Sequence, residues 1–345
     1  MILEENFSME HIEAIKESKK VDKNILERSI YALGLLEALA RVELPFIFKG
    51  GTALLLLLDE PRRLSTDIDI IVKPGTDFEH YLEEASKIIP FKAVEEQERK
   101  RAGNIEKRHY KFTYDSPAYG GDFYILLDIL FEENHYARTI EKPIANSLIK
   151  TEEPFFYVTM PTVDCILGDK LTAFAPHTTG IPYGVGKELE IIKQMYDIAS
   201  LFDASSNFDD VYKSYMDTVN TEIKYRDLDI TYESTLMDTI DAAATIVSRG
   251  HYGNDYRLLL SGIRAISTHI FDEKFSAEKA VIRGAKTMYA AACILKNVPI
   301  RKNIDVDAYK DENLSNSVYS SISKIRNFDK LGFAYAAEAI RLLNI

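Results

Sequence analysis

Apolar residues recur at helical spacing over the first forty positions and predict two helices, the second carrying Ile25, Ile30, Leu33, Leu35, Leu36 and Leu39. A short continuous apolar run at Pro45-Phe46-Ile47-Phe48 then reads as a buried strand that ends at Gly50. The pattern next predicts an apolar helix over 52–58, a loop over 59–66, a strand over 67–72 and a helix over 78–89. Further strands are expected around 108–114 and 123–131, with 155–158 a further edge strand. From Pro161 onward the periodicity is almost entirely helical, over 163–175, 188–202, 208–221, 232–248, 255–271, 277–295 and 322–343. The expected fold is therefore α/β of the α+β kind. A small mixed-sheet domain with N-terminal helices occupies 1–160, and a mainly helical domain occupies 161–345.

Three acidic residues break this apolar pattern in an informative way. In Asp67-Ile68-Asp69-Ile70-Ile71-Val72 the two carboxylates lie two apart on a strand and so share one face, while Ile68, Ile70 and Val72 face the core. Asp128 stands alone in the strand Phe123-Tyr124-Ile125-Leu126-Leu127-Asp128-Ile129-Leu130-Phe131, where burying a carboxylate is costly unless it meets a cation. Carboxylates placed beside substrate phosphates form the oxygen-rich site that magnesium prefers, so Asp67, Asp69 and Asp128 are the candidate metal ligands. Upstream, Lys49-Gly50-Gly51-Thr52 would let the backbone pass close to a triphosphate, its amides and the following helix start facing the anionic oxygens. Arg63 and Lys49 are candidates to neutralise phosphate charge. Ser65 reads equally as a phosphate-binding hydroxyl and as a turn or cap hydroxyl before the strand.

The chain has 46% hydrophobic and 28% charged residues, ordinary for a globular protein of 345 residues, and a net charge of -12. Acidic residues outnumber basic ones both before and after residue 160, so nonspecific nucleic-acid affinity is expected to be weak and any such substrate needs a local patch. Arg99, Lys100, Arg101, Lys107, Arg108 and Lys111 offer one around Ala102-Gly103-Asn104, read as the tip of a hairpin between the metal-site strands; a solvated hairpin with a charged edge is the competing reading. Cys165 and Cys293 have no metal-type spacing, and no segment resembles a secretory signal or a membrane span, so a cytoplasmic protein is expected. In the helical part, the Gly- and Pro-rich stretch His177-Thr178-Thr179-Gly180-Ile181-Pro182-Tyr183-Gly184-Val185-Gly186 is either a functional loop or a linker. Lys170 before it and Lys193 after it could each bind a phosphate or simply lie on the surface, and Lys193 could pair with Asp197 along one helix.

On these residues the chain resembles the AbiEii/AbiGii-type nucleotidyltransferase toxins of bacterial abortive-infection and toxin-antitoxin systems, within the DNA-polymerase-β-like nucleotidyltransferase superfamily. The resemblance spans most of the first two hundred residues. It is carried by Lys49-Gly50-Gly51-Thr52-Ala53-Leu54, Arg63-Leu64-Ser65-Thr66-Asp67-Ile68-Asp69, Asp128, Asp169-Lys170-Leu171-Thr172-Ala173 and Lys193-Gln194-Met195-Tyr196-Asp197-Ile198-Ala199. It implies that nucleotide binds in a cleft completed by the helical domain, with Gly51 and Thr52 at the triphosphate, Asp67 and Asp69 on magnesium, Lys170 on phosphate and Asp197 at the cleft. One departure is Tyr196, which stands where the family often has Arg or Lys, the nearest basic residue being Lys193. The resemblance also implies a cognate antitoxin, and some relatives add nucleotides to the 3′ end of tRNA. The expected activity is magnesium-dependent transfer from a nucleoside triphosphate to an RNA acceptor, with Asp67, Asp69, Asp128 and Lys170 catalytic. Transfer to a small cationic molecule, as in aminoglycoside-modifying relatives of the fold, is the alternative enzyme, and a noncatalytic nucleotide-binding module the alternative class. The presence of three carboxylates argues against the latter.

Overall fold

The computed structural model describes residues 1–19, 21–97, 106–270 and 273–344. Two units emerge, Met1–Thr162 with Thr268–Glu273, and Val163–Ser267 with Lys274–Ile345. In the first unit, helices α1 (Met9–Lys19) and α2 (Lys23–Arg41) precede β1 (Ile47–Lys49), α3 (Gly50–Leu57), β2 (Asp67–Val72) and α4 (Glu79–Ser86). Strands β3 (Phe91–Glu96), β4 (Lys107–Ser116) and β5 (Gly121–Phe131) complete a five-stranded sheet of order β1-β2-β5-β4-β3. Only β2 and β5 run parallel within it; the other pairs are antiparallel.

Helix α2 begins where the Asp22 carboxylate accepts from the Asn24 and Ile25 amides, and its apolar side packs on the sheet. Tyr31 stacks on Tyr114 of β4 at 3.6 Å between ring centres, within a layer that includes Ile68, Ile70, Ile125, Leu127 and Phe112. One carboxylate, Glu27, is fully buried there, accepting from Ser116 Oγ at 2.5 Å and the Ala118 amide at 3.0 Å. Those donors make the burial tolerable. With α2 covering one side of the sheet, strand alternation puts the acidic positions of β2 and β5 on the other.

Two strands escaped the sequence pattern. β3 is a half-exposed edge strand whose Lys92, Glu95 and Glu96 dilute the apolar signal, and β6 (Thr139–Pro143) is similarly polar. The strand expected at 155–158 lies at β7 (Tyr157–Pro161) and pairs with β6 in a separate two-stranded sheet rather than edging the main one. The hairpin tip, Ala102-Gly103-Asn104, with Arg99, Lys100 and Arg101, lies outside the described residues. The strands on either side of it are β3 and β4, whereas the acidic strands β2 and β5 are direct neighbours.

The second unit is built from α5 (Val163–Ala173), α6 (Glu188–Ala204), α7 (Phe208–Tyr225), α8 (Tyr232–Val247), α9 (Tyr256–Ala265), α10 (Ala277–Lys296) and α11 (Lys330–Leu343). The helix expected over 255–271 stops at Ala265 and tightens into a 3-10 turn, Ile266–His269. The last stretch also divides, into a 3-10 segment, Ser320–Ile325, and α11. The division falls where Asp329 caps the new helix, its carboxylate accepting from the Gly332 amide. No helix among the described residues is long and apolar enough to cross a membrane.

Candidate active site

Strand register decides where the three acidic residues go. β2 and β5 pair with Asp67 opposite Leu126 and Asp69 opposite Asp128. Directly opposed residues share a sheet face, as do residues two apart in one strand, so Asp67, Asp69 and Asp128 emerge together. The same rung continues outward through both neighbours, Lys49 standing opposite Asp69 and His109 opposite Asp128. A row of Lys49, Asp69, Asp128 and His109 thus crosses four strands. His109 Nδ1 lies 2.7 Å from Asp128 Oδ1, and Arg28 of α2 donates through Nη2 to Asp67 Oδ1 at 3.2 Å. The side chains of Asp67 and Asp128 remain 47% and 32% exposed, enough for an ion or ligand to reach them despite these partners. Lys49 Nζ sits 5.7 Å from the centre of the Tyr136 ring.

The two glycines are required by close approach. Gly50 has φ +82°, and a Cβ there would fall 2.0 Å from Asp69 Oδ2. A Cβ on Gly51 would fall 2.7 Å from Arg63 Nη2 and 3.0 Å from Ser65 Oγ. Backbone, carboxylate and guanidinium are therefore packed into one small region at the start of α3. Thr52, fully buried, ties this helix start to β2: its Oγ1 shares a 2.9 Å hydrogen bond with Ser65 Oγ and also bonds the Asp67 carbonyl. Ser65 Oγ is thus engaged with the start of α3. Arg63 is buried, donates to the Leu64 carbonyl at 3.0 Å and bridges in backbone to Ile270, while the Leu64 amide donates to the His269 carbonyl at 2.6 Å. A distant segment thereby clamps the loop that carries Arg63 and Ser65.

In the helical unit, Lys170 of α5 and Asp197 of α6 meet as a buried ion pair, Nζ to Oδ2 3.0 Å, with Lys170 also donating to Gln194 Oε1 at 3.0 Å. Lys170 is consequently not a surface lysine. Lys193 pairs with Glu190 at 3.6 Å, one turn back along α6. The Tyr196 ring lies beneath the Arg283 guanidinium of α10 at 3.9 Å. The Gly- and Pro-rich stretch after α5 is an ordered connection: Asp238 accepts from the His177 amide and the Thr178 hydroxyl, each at 2.8 Å, and Thr179 donates to the Thr172 carbonyl at 2.7 Å. Burial pushes the Asp238 carboxyl above the usual Asp range, opposed by these hydrogen bonds.

Of the basic patch, Arg108 is committed to a two-pronged pair with Glu96, both contacts at 2.7 Å, and to Glu79 at 3.0 Å. This engagement raises its pKa further, chiefly through Glu96. Lys111 lies 3.9 Å from Glu95. Among the described residues, no group of three or more His, Cys, Asp or Glu side chains is placed to hold a metal ion by itself, the three acidic residues of the sheet included. Asp67, Asp69 and Asp128 share a sheet face and offer the hard oxygen donors that a cation bound largely by phosphate and water would take, while the Gly50 backbone packs closely against Asp69 Oδ2. Arg28 and His109 were not apparent as site residues in the sequence. Their relation to the acidic rung comes from register and helix placement, which local pattern does not encode.

A family model for the AbiEii nucleotidyl transferase toxin of type IV toxin-antitoxin systems matches residues 34–277, well over half of the chain. The chain belongs to the AbiEii family. It is accordingly a nucleotidyltransferase, and the family is that of a toxin that acts on nucleotide and has an antitoxin partner. The match takes in Lys49 to Asp69, Asp128, Lys170 and Asp197, so the AbiEii assignment covers both acidic strands and the buried pair. Among solved structures, JHP933 from Helicobacter pylori is similar with 12% identity and a TM-score of 0.44, over 79% of this chain and 95% of that one. A second H. pylori protein, provisionally described as a nucleotidyltransferase, is similar with 12% identity and a TM-score of 0.45, over 79% and 99% of the respective chains. No curated protein matches the chain.

Proposed function

We propose that this AbiEii protein is the toxin of a toxin-antitoxin pair, acts in the cytoplasm, and transfers a nucleotide from a nucleoside triphosphate to the 3′ end of an RNA, tRNA foremost, with magnesium as its resident ion. The observation that carries the reading is the rung in which Asp69 and Asp128 stand opposite one another on parallel strands, Asp67 two residues along and the Gly50 backbone against Asp69. Asp67, Asp69 and Asp128 would hold magnesium. When bound, the ion supplies Lewis-acid stabilisation of phosphate charge and lowers the pKa of an acceptor hydroxyl.

The residues divide the remaining work. The amides at Gly50 and Gly51 and the start of α3 receive the triphosphate oxygens, with Arg63 and Lys49 countering their charge. The acceptor oxygen forms a bond to the α-phosphorus as the bond to the β-phosphate oxygen breaks, pyrophosphate departs, and Asp128 takes the hydroxyl proton. His109 holds the Asp128 carboxylate by its 2.7 Å contact, and Arg28 fixes that of Asp67. Lys170 is assigned to a nucleotide phosphate, with Lys193 a second candidate cation and Asp197 beside it as the ion-pair partner of Lys170. Because Asp197 already balances its charge, a phosphate would have to share the ammonium.

Incubation with each radiolabelled nucleoside triphosphate, magnesium and total RNA tests the proposal. Labelled RNA whose label is removed with the 3′-terminal nucleotide is the expected result. Label on a small cationic acceptor such as an aminoglycoside, with none on RNA, would overturn the acceptor and leave the nucleotidyltransferase.

A further inference from the structure

The open face of the sheet does not end at the acidic rung. β5 runs beyond β2, whose pairing begins at Leu126, so residues 121–125 have β4 on one side and no named strand on the other. Tyr124 lies on this overhang. Counting by twos from Asp128 through Leu126 puts Tyr124 on the same face as the acidic residues, about 13 Å along the strand at ~3.3 Å per residue. Its side chain is 36% exposed. Two cations lie over its ring: the Arg28 guanidinium carbon at 5.5 Å and Lys111 Nζ at 5.3 Å from the ring centre. The same Arg28 reaches Asp67 at 3.2 Å, so ring and acidic site are joined through one side chain. Next to Tyr124, Phe123 is 5.7 Å away between ring centres, and the exposed Tyr119 stacks on Phe123 at 5.4 Å.

An exposed ring with Arg and Lys held at more than 5 Å over it, at the end of the acidic face, has the chemistry of a single-stranded nucleic-acid contact. A base stacks on an aromatic face irrespective of its sequence, and neighbouring cations reinforce it and track the backbone. We propose that Tyr124 is the stacking platform for an unpaired base of the RNA acceptor, upstream of the 3′ hydroxyl that reacts at Asp128, the base displacing one of the two distant cations, Arg28 and Lys111, that lie over the ring. This deepens the acceptor reading above and rests on it. The platform also resolves how a chain of net charge -12 engages RNA. Both cations are partly balanced, Arg28 by Asp67 and Lys111 by Glu95, so affinity here comes from stacking more than from phosphate neutralisation.

The test uses the full chain and reads binding apart from transfer. Anisotropy of a short, fluorescent, mixed-sequence single-stranded oligoribonucleotide is measured without triphosphate, and labelling kinetics are measured with total tRNA. Tyr124→Ala is expected to weaken oligonucleotide binding by roughly five- to a hundredfold, the range of one base–aromatic stack. It should raise KM for RNA while leaving KM for the nucleoside triphosphate unchanged. Tyr124→Phe and Tyr124→Trp should bind as the wild type does, because stacking needs the ring and not the hydroxyl. The Ala effect should persist by the same factor as salt is raised. Wild-type binding by Tyr124→Ala overturns the platform, as does a Phe variant as weak as the Ala variant or an equal rise in KM for the triphosphate. Failure of the wild-type enzyme to label RNA would instead overturn the acceptor reading, whatever the oligonucleotide measurement gives for Tyr124.

Discussion

The two units each hold an arrangement of opposite charges, and they hold them in opposite ways. On the sheet, Asp67 and Asp128 are half-exposed, and each has a nitrogen partner from a different element, Arg28 or His109. In the helical unit, the Lys170 and Asp197 side chains are only 8% and 1% exposed and face each other directly. A carboxylate on the sheet loses little hydration and keeps capacity for another cation. A buried pair has already given up its water and is held by its geometry, so removing one partner strikes folding first. Exposure thus separates groups that a ligand could reach from groups on which the fold depends.

The largest effects expected are on the sheet and should be catalytic. Asp67→Asn, Asp69→Asn and Asp128→Asn are each expected to reduce nucleotide transfer by at least about a hundredfold, since an amide is a poor substitute for an anionic metal ligand. Thermal unfolding should move little. Incorporation assays, growth on induction and calorimetry on the same preparations check this. A variant that unfolded early while retaining specific activity would erase the contrast drawn above.

The helical pair should behave in reverse. Lys170→Ala or Asp197→Ala is expected to cost about 3–5 kcal/mol of stability, the usual result of breaking a buried pair. Lys170→Met combined with Asp197→Leu should recover most of it. Denaturant unfolding reads the stability, and triphosphate affinity measured on the folded fraction of the double variant then isolates any phosphate contact. Affinity equal to that of the wild type in the folded double variant would leave the pair a structural feature alone.

These expectations also mark what the sequence disclosed. The alternation in Asp67-Ile68-Asp69 and the solitary Asp128 gave both acidic strands and their outward face, because period two is a local property of a strand. That Asp69 opposes Asp128 depends on β2 pairing parallel to β5, a long-range choice with no local signature. Arg28 and His109 followed from that pairing and from α2 crossing the sheet, so they stayed hidden. Lys170 was open to a surface reading because a lone lysine in a helix is usually solvated; only its encounter with Asp197, contributed by the next helix, shows the burial. β3 was missed because an edge strand has less need of apolar residues.

His109 sharpens the sheet side of the comparison. In the proposed reaction it would act through Asp128, as a positioning residue. His109→Ala is expected to lower kcat roughly tenfold, within the range of a positioned proton-transfer group, while KM for triphosphate stays unchanged. His109→Gln, which can still donate to Asp128, should restore part of kcat. Steady-state kinetics with varied triphosphate separates the two parameters, and an equal loss in both variants would remove the hydrogen bond from the explanation.

The smallest and most discriminating measurement concerns two glycines of the first unit with the same backbone angle. Gly50 and Gly75 both have φ +82°, so an alanine at either carries the left-handed penalty of about 1–2 kcal/mol. Their surroundings differ. A Cβ at Gly75 meets nothing within 4 Å, whereas at Gly50 it falls 2.0 Å from Asp69 Oδ2 and must displace that carboxylate. Gly75→Ala is therefore expected to lower stability slightly with activity intact, which sets the cost of the angle alone. Gly50→Ala should lose more stability, because Asp69 Cβ also lies 2.8 Å from the added Cβ, and should show a fall in transfer rate resembling a weakened Asp69. Subtracting one variant from the other leaves the contribution of the close approach between the glycine backbone and the acidic rung. If the two variants matched in activity as well as in stability, Gly50 would be a turn residue only, and the glycine pair would have to be detached from the chemistry of Asp69.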